Sequence, residues 1–110
     1  MEDVAWNAAL SLARRGDRSG LPLLLRMLDR AYLDGLRRAD ESGRPRVLTE
    51  EQKEEAIRNA LRSVVLLRDT DHLDALRALR DSDPNLRVRQ AAFESIDALR
   101  KAGTHGPERY

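Results

Sequence analysis

Val88-Arg89-Gln90-Ala91 repeats an order of side chains met twice before in the chain, in Ala5-Trp6-Asn7-Ala8 and Ile57-Arg58-Asn59-Ala60. Each reads small or branched apolar, large, amide, alanine. The second and third copies stand 31 residues apart, and the first and second 52. At that longer offset Asp17 matches Asp69, Leu21 matches Leu73, Leu24 matches Leu76 and Met27 matches Leu79. A segment that returns with its turn and its following apolar run is a helix–turn–helix unit used more than once, the signature of an α-solenoid.

The periodicity around these copies is helical, with apolar residues at three- and four-residue steps and no sustained alternation. Five helices are expected. The first covers about 4–15, with Ala5, Ala8, Ala9, Leu12 and Ala13 on one face and Gly16 ending it. The second carries Leu21, Leu24, Leu25, Leu28, Tyr32 and Leu36, with Pro22 near its start, where a missing N–H costs nothing. The third has Thr49 as N-cap, Gln52 completing a capping box, and Glu50 and Glu51 at the positive end of the helix dipole; it buries Ala56, Ile57, Ala60, Leu61, Val64 and Val65. Asp69-Thr70-Asp71 turns the chain into a fourth helix with Leu73, Leu76 and Leu79. Asp83 caps and Pro84 opens a fifth, with Val88, Ala91, Ala92, Ile96 and Leu99 inward and Gly103 as its stop. No strand is expected, and Ser42-Gly43-Arg44-Pro45 reads as turn chemistry.

The result is one all-α domain over 1–103, with an insertion at about 37–50 and a flexible tail over 104–110. The extra residues between the first two copies fall at the end of the second helix and in the 39–48 loop.

Asp83-Pro84-Asn85-Leu86-Arg87-Val88-Arg89-Gln90-Ala91-Ala92, followed by Ile96 and Leu99, resembles the start of a HEAT repeat, and more narrowly the bacterial HEAT-like repeats of the phycobilisome-lyase type. Leu12-Ala13-Arg14-Arg15-Gly16-Asp17 with Leu21-Pro22-Leu23-Leu24 resembles the turn and second helix of such a unit. The resemblance covers about 4–29 and 53–102 and implies a short solenoid of about two and a half hairpins. It departs at Trp6, where the family usually has arginine, at the insertion, and in a third copy reduced to its first helix. It implies that Arg58 and Arg89 pair with acidic residues of a neighbouring repeat, and that the chain binds another protein. A lyase-type accessory subunit or chaperone is the alternative it carries. A family name of this kind leaves the function open.

Composition narrows the classes. There is no cysteine, which removes disulfides, thiol catalysis and thiolate metal sites. His72 and His105 lie far apart without ligands at metal spacing. No phosphate loop or nucleophile elbow is present, so no catalytic, cofactor-binding or metal residue is expected. Eighteen arginines against two lysines look basic, yet nineteen acids are interleaved with them, the net charge is +1, and aromatics are 4%; this opposes nucleic-acid binding, the second alternative. The longest apolar run, around 21–28, is too short to cross a membrane, and the acidic start opposes a signal peptide, so a cytoplasmic protein is expected.

The remaining candidates are for contact with a protein. Trp6 and Leu10 sit one turn apart where the second copy has Arg58 and Arg62. Phe93 is the third-copy counterpart of Leu10 and lies near Leu86 on its own helix. Trp6, Leu10 and Phe93 are therefore the expected contact residues, and Arg58, Arg89 and Asp83 the expected structural ones. Solenoid ends need covering, so another protein or a second copy of the chain is the expected partner.

Overall fold

The structure, a computed structural model, describes the backbone of residues 2–104 and the side chains of residues 4–101. The expected tail and His105 lie outside the described residues beyond Thr104. Helix α1 (Glu2–Arg14) leads through a 3-10 turn (Arg18–Gly20) to α2 (Leu21–Met27) and α3 (Arg30–Asp34). A hairpin of β1 (Arg37–Ala39) and β2 (Pro45–Val47) follows, then α4 (Glu50–Leu66), α5 (Leu73–Ser82) and α6 (Leu86–Thr104). The chain is mostly helical, as expected, with six α-helices and one small antiparallel sheet among the described residues.

Two helix starts and one stop show how local chemistry draws the boundaries. Thr49 Oγ1 accepts from the Gln52 N–H at 3.1 Å while Gln52 Oε1 accepts from the Thr49 N–H at 2.8 Å, the reciprocal box read from the sequence. The start of α6 is a correction. Asn85, not Asp83, caps it, its Oδ1 accepting from the N–H groups of Arg87 and Val88; Asp83 instead closes α5 and holds the Asn85 N–H. Nor does Gly103 stop α6, which runs through it to Thr104.

The expected second helix is broken. Asp29 takes an extended conformation and its carboxylate accepts from the Ala31 N–H, so a new helix, α3, starts at Arg30. The break turns the chain and drives Leu33 fully into the core. The insertion is a hairpin rather than a strandless loop. Arg37, Arg38 and Ala39 pair with Val47, Arg46 and Pro45. Its turn is organised by Asp40, whose carboxylate accepts from Ser42, from the Arg44 N–H and from Arg46 Nε, in that way holding the carboxyl well below its ordinary range. Buried Leu33 and Leu48 anchor the two ends of the insertion.

Helix α4 is central, touching α1, α2 and α6, while α5 packs along α6. Its buried face is Ala56, Ile57, Ala60, Leu61 and Val64; that of α6 is Val88, Ala92, Ile96 and Leu99. Ile57 and Val88 are both fully buried, so the 31-residue offset holds in the packing. The 52-residue offset holds in the turn after the helix. The Asp17 N–H donates to Leu12 O and the Asp69 N–H to Val64 O, and Gly16 and Arg68 both have positive φ, 76° and 54°. On α1 itself the register slips by one residue. Trp6, Ala9 and Ala13 are buried, while Ala5 and Ala8 are exposed. Among the described residues α1 packs mainly against α2, the 3-10 turn and α4, and the large ring decides which flank turns inward.

Two predictions follow from these turns. Arg68 carries a Cβ in the left-handed region where Gly16 stands in the first copy. Arg68→Gly is expected to raise stability by about 0.5–1 kcal/mol in urea titrations; a lowered midpoint would contradict this. A Cβ on Gly20 would lie 2.8 Å from Ala9 Cα, so glycine is required for α1 to approach the start of α2 this closely. Gly20→Ala is expected to destabilise by about 1–3 kcal/mol, read as a fall in the thermal midpoint.

Candidate functional site

The sequence singled out two aromatic positions, and the structure separates them. Trp6 is only 7% exposed. With Asn7 and Leu10 of α1 it walls a cleft of about 250 Å³ completed by Met27 of α2, Arg38 of β1, and Gln52, Glu55, Ala56 and Asn59 of α4. The hairpin thus reaches the flank of α1 where the second copy of the repeat carries arginines. Trp6, expected as a surface contact, is instead buried in the core that α1 shares with α2 and α4, and of the hairpin only Arg38 borders the cleft beside it. Leu10 is half-buried against the same core. The Trp6 indole N–H is sealed from solvent and has no hydrogen-bond partner. The ring is held by packing alone.

Phe93 is the opposite case. It is 54% exposed on α6, and Leu86, two turns earlier on the same side of the helix, is 74% exposed. Helix α6 packs on α4 and α5 through its other flanks. Its outer flank has solvent where α4 has a neighbouring helix.

The structural residues also sort differently from expectation. Arg58 forms its ion pair with Glu54, one turn earlier in its own helix, at 3.3 Å. Arg89 donates through Nε to the Arg80 carbonyl at 3.2 Å, fastening α6 to the end of α5. Asp83 does join separate elements. Its buried carboxylate takes Nε and Nη2 of Arg30 at 2.8 and 2.9 Å, while Nη1 and Nη2 of the same guanidinium reach the two Glu50 oxygens at 2.9 and 3.1 Å. Asp83, and then Glu50, hold Arg30 in its charged form against the desolvation that opposes it. In return Arg30, and then the Asn85 amide, hold the Glu50 carboxyl below its ordinary value. One side chain at the start of α3 thereby ties together the start of α4 and the α5–α6 junction.

A second such clasp was not legible either. Asp69, 1% exposed, accepts from Arg18 Nη2 at 3.0 Å and sits 2.8 Å from His72 Nδ1; Arg18 Nη1 also donates to the Leu67 carbonyl. Asp17 is aligned with Asp69 in the repeat, yet it is exposed and caps its own turn through Ser19. The signal for the clasps was the arginine beside each turn, Arg18 after Asp17 and Arg30 after Asp29.

Many of the arginines are committed to acids. Arg18, Arg30, Arg46, Arg58, Arg77 and Arg80 all form ion pairs. Among the described residues no group of three or more His, Asp or Glu side chains is placed to hold a metal ion, and no helix is long and apolar enough to cross a membrane. Compared with protein-family models, curated proteins and solved structures, the chain matches none.

Proposed function

We propose that the chain is a non-catalytic protein-interaction module, a short HEAT-like α-solenoid that offers the outer flank of its last helix to a protein partner. The observation that carries this reading is the asymmetry between α1 and α6. On α1 the largest apolar side chain, Trp6, is buried in the core shared with α2 and α4, and Val4 at the start of the helix stays exposed. On α6 Leu86 and Phe93 stand in solvent, while other flanks of the helix pack against α4 and α5. The shared depth of Ile57 and Val88, and the matching turns at Gly16 and Arg68, support a repeat architecture. In such a stack each unit buries its face only against its neighbours, so an apolar flank left exposed among the described residues is a surface on which another helix can add. Aromatic anchors in this position are the usual carriers of binding energy.

The test is a photo-crosslinking amino acid placed at position 93 in the native cell, with position 74, on the exposed surface of α5, as control. A discrete protein adduct from position 93 alone is expected. Equal labelling from both positions, or none from 93, contradicts the reading.

A further inference from the structure

We infer that the partner on this flank is a second copy of the chain, with the two α6 helices antiparallel across a two-fold axis beside Phe93. This rests on the reading of that flank as an interface and goes beyond it by naming the occupant. Leu86, Arg89, Phe93, Asp97 and Arg100 follow one another along α6 at steps of three, four, four and three residues, a spacing that is the same read from either end. The stripe faces away from the buried Val88, Ser95 and Leu99, and buried Ile96 borders it beside Arg89.

An isologous contact brings a residue and its counterpart at equal distance from the axis to the same height. Phe93 then meets Phe93. Arg89, four residues before it, comes level with Asp97, four residues after it, and does so twice. Leu86 comes level with Arg100 of the other copy. A parallel pairing would instead set Arg89 beside Arg89 and Asp97 beside Asp97, a like-charge arrangement that interfaces avoid.

The neighbouring contacts of Arg89 and Asp97 leave both side chains exposed enough to reach out. Arg89 is fastened near its stem by Nε to the Arg80 carbonyl. Asp97 receives Lys101 on Oδ2 at 2.9 Å, and its side chain remains 48% exposed. Helix α6 has 19 residues and is therefore about 28 Å long. One helix pair of that length falls short of the ~800 Å² per partner of a standard interface, so a reversible dimer is expected rather than an obligate one.

The experiment is light scattering on the purified full chain across a concentration series reaching the millimolar range. The wild type is expected to move from monomer towards dimer mass. Arg89→Asp and Asp97→Arg should each weaken the dimer by about tenfold or more. The double variant Arg89→Asp/Asp97→Arg should restore it. Both changes are at exposed or half-exposed positions, and circular dichroism checks that helix content is unchanged in all three variants. Monomer mass for the wild type throughout the series would overturn the inference; with a crosslink from position 93 to a different protein, the interaction reading would stand while this one fell. A dimer that the double variant does not restore would also overturn it, because the antiparallel pairing would then be wrong.

Discussion

Trp6→Ala is expected to lower stability by about 3–5 kcal/mol, the range for removing a buried aromatic ring from a core. The ring is 7% exposed and part of the single apolar core that joins α1 to α2 and α4. Its N–H has no partner, so truncation breaks no hydrogen bond and the whole loss comes from packing and apolar burial. For a domain of this size that corresponds to a fall in the thermal midpoint of roughly 15 °C or more. Trp6→Phe separates the contributions. It keeps a ring and discards the unsatisfied N–H, so it should recover most of the loss. A change below about 1 kcal/mol for Trp6→Ala in urea titrations would place Trp6 at the surface and contradict its burial in the core.

The second large effect is expected at Arg30. Arg30→Ala should cost about 3 kcal/mol, because it strands the Asp83 carboxylate, whose side chain is 2% exposed, with only the Asn85 N–H for company. Arg30 itself is 17% exposed at the side chain, so solvent screens this pair little. A double-mutant cycle with Asp83→Asn is the measurement. The two single losses should sum to well over the double loss, by about 1–3 kcal/mol. Simple additivity would show that the clasp contributes nothing. The Glu50 branch adds a pH dependence of definite sign. Its carboxyl is held below the ordinary value of 4.5 by Arg30 and then Asn85, so its contribution is complete above that value and is lost as the pH falls through the lowered one in the folded state. The gap between wild type and Arg30→Ala should therefore narrow only in acid.

Why some features could be read from the sequence and others not follows from the range over which each is decided. Thr49 and Gln52 are three residues apart, and their capping box needs nothing beyond that stretch. Ile57 and Val88 sit in long helices whose apolar faces are well defined, and both went where the periodicity put them. Helix α1 is different. Ala5, Ala8, Ala9 and Ala13 surround it with small side chains, so the pattern alone does not choose a face. The bulk of Trp6 chooses, and it selects a face one residue away from the aligned copy.

Asp29 falls in a leucine-rich run where a polar residue at that position reads as the solvent side of one long helix. Only its backbone conformation reveals that it starts another. The hairpin strands are three residues each, too short to show alternation, and Arg38 opposite Arg46 does not look like a cross-strand pair until Asp40 is seen to take up Arg46. The clasps were illegible for a further reason. Arg18 and Asp69 are 51 residues apart, and Arg30 and Asp83 53. Spacing tells which side chains share a helix, not which reach across from one helix to another. Arg58 shows the same limit from the other side, since its nearest acid, Glu54, was on its own helix all along.

The contrast between a buried Trp6 on the first helix and an exposed Phe93 on the last is tested most directly by quenching the fluorescence of Trp6, the single tryptophan of the chain, with acrylamide. A blue-shifted emission that resists the quencher in the native protein, and becomes fully accessible on unfolding, is the expected result. Native emission quenched as readily as that of the unfolded chain would mean that Trp6 is not part of the core and that it does not differ from Phe93 in exposure.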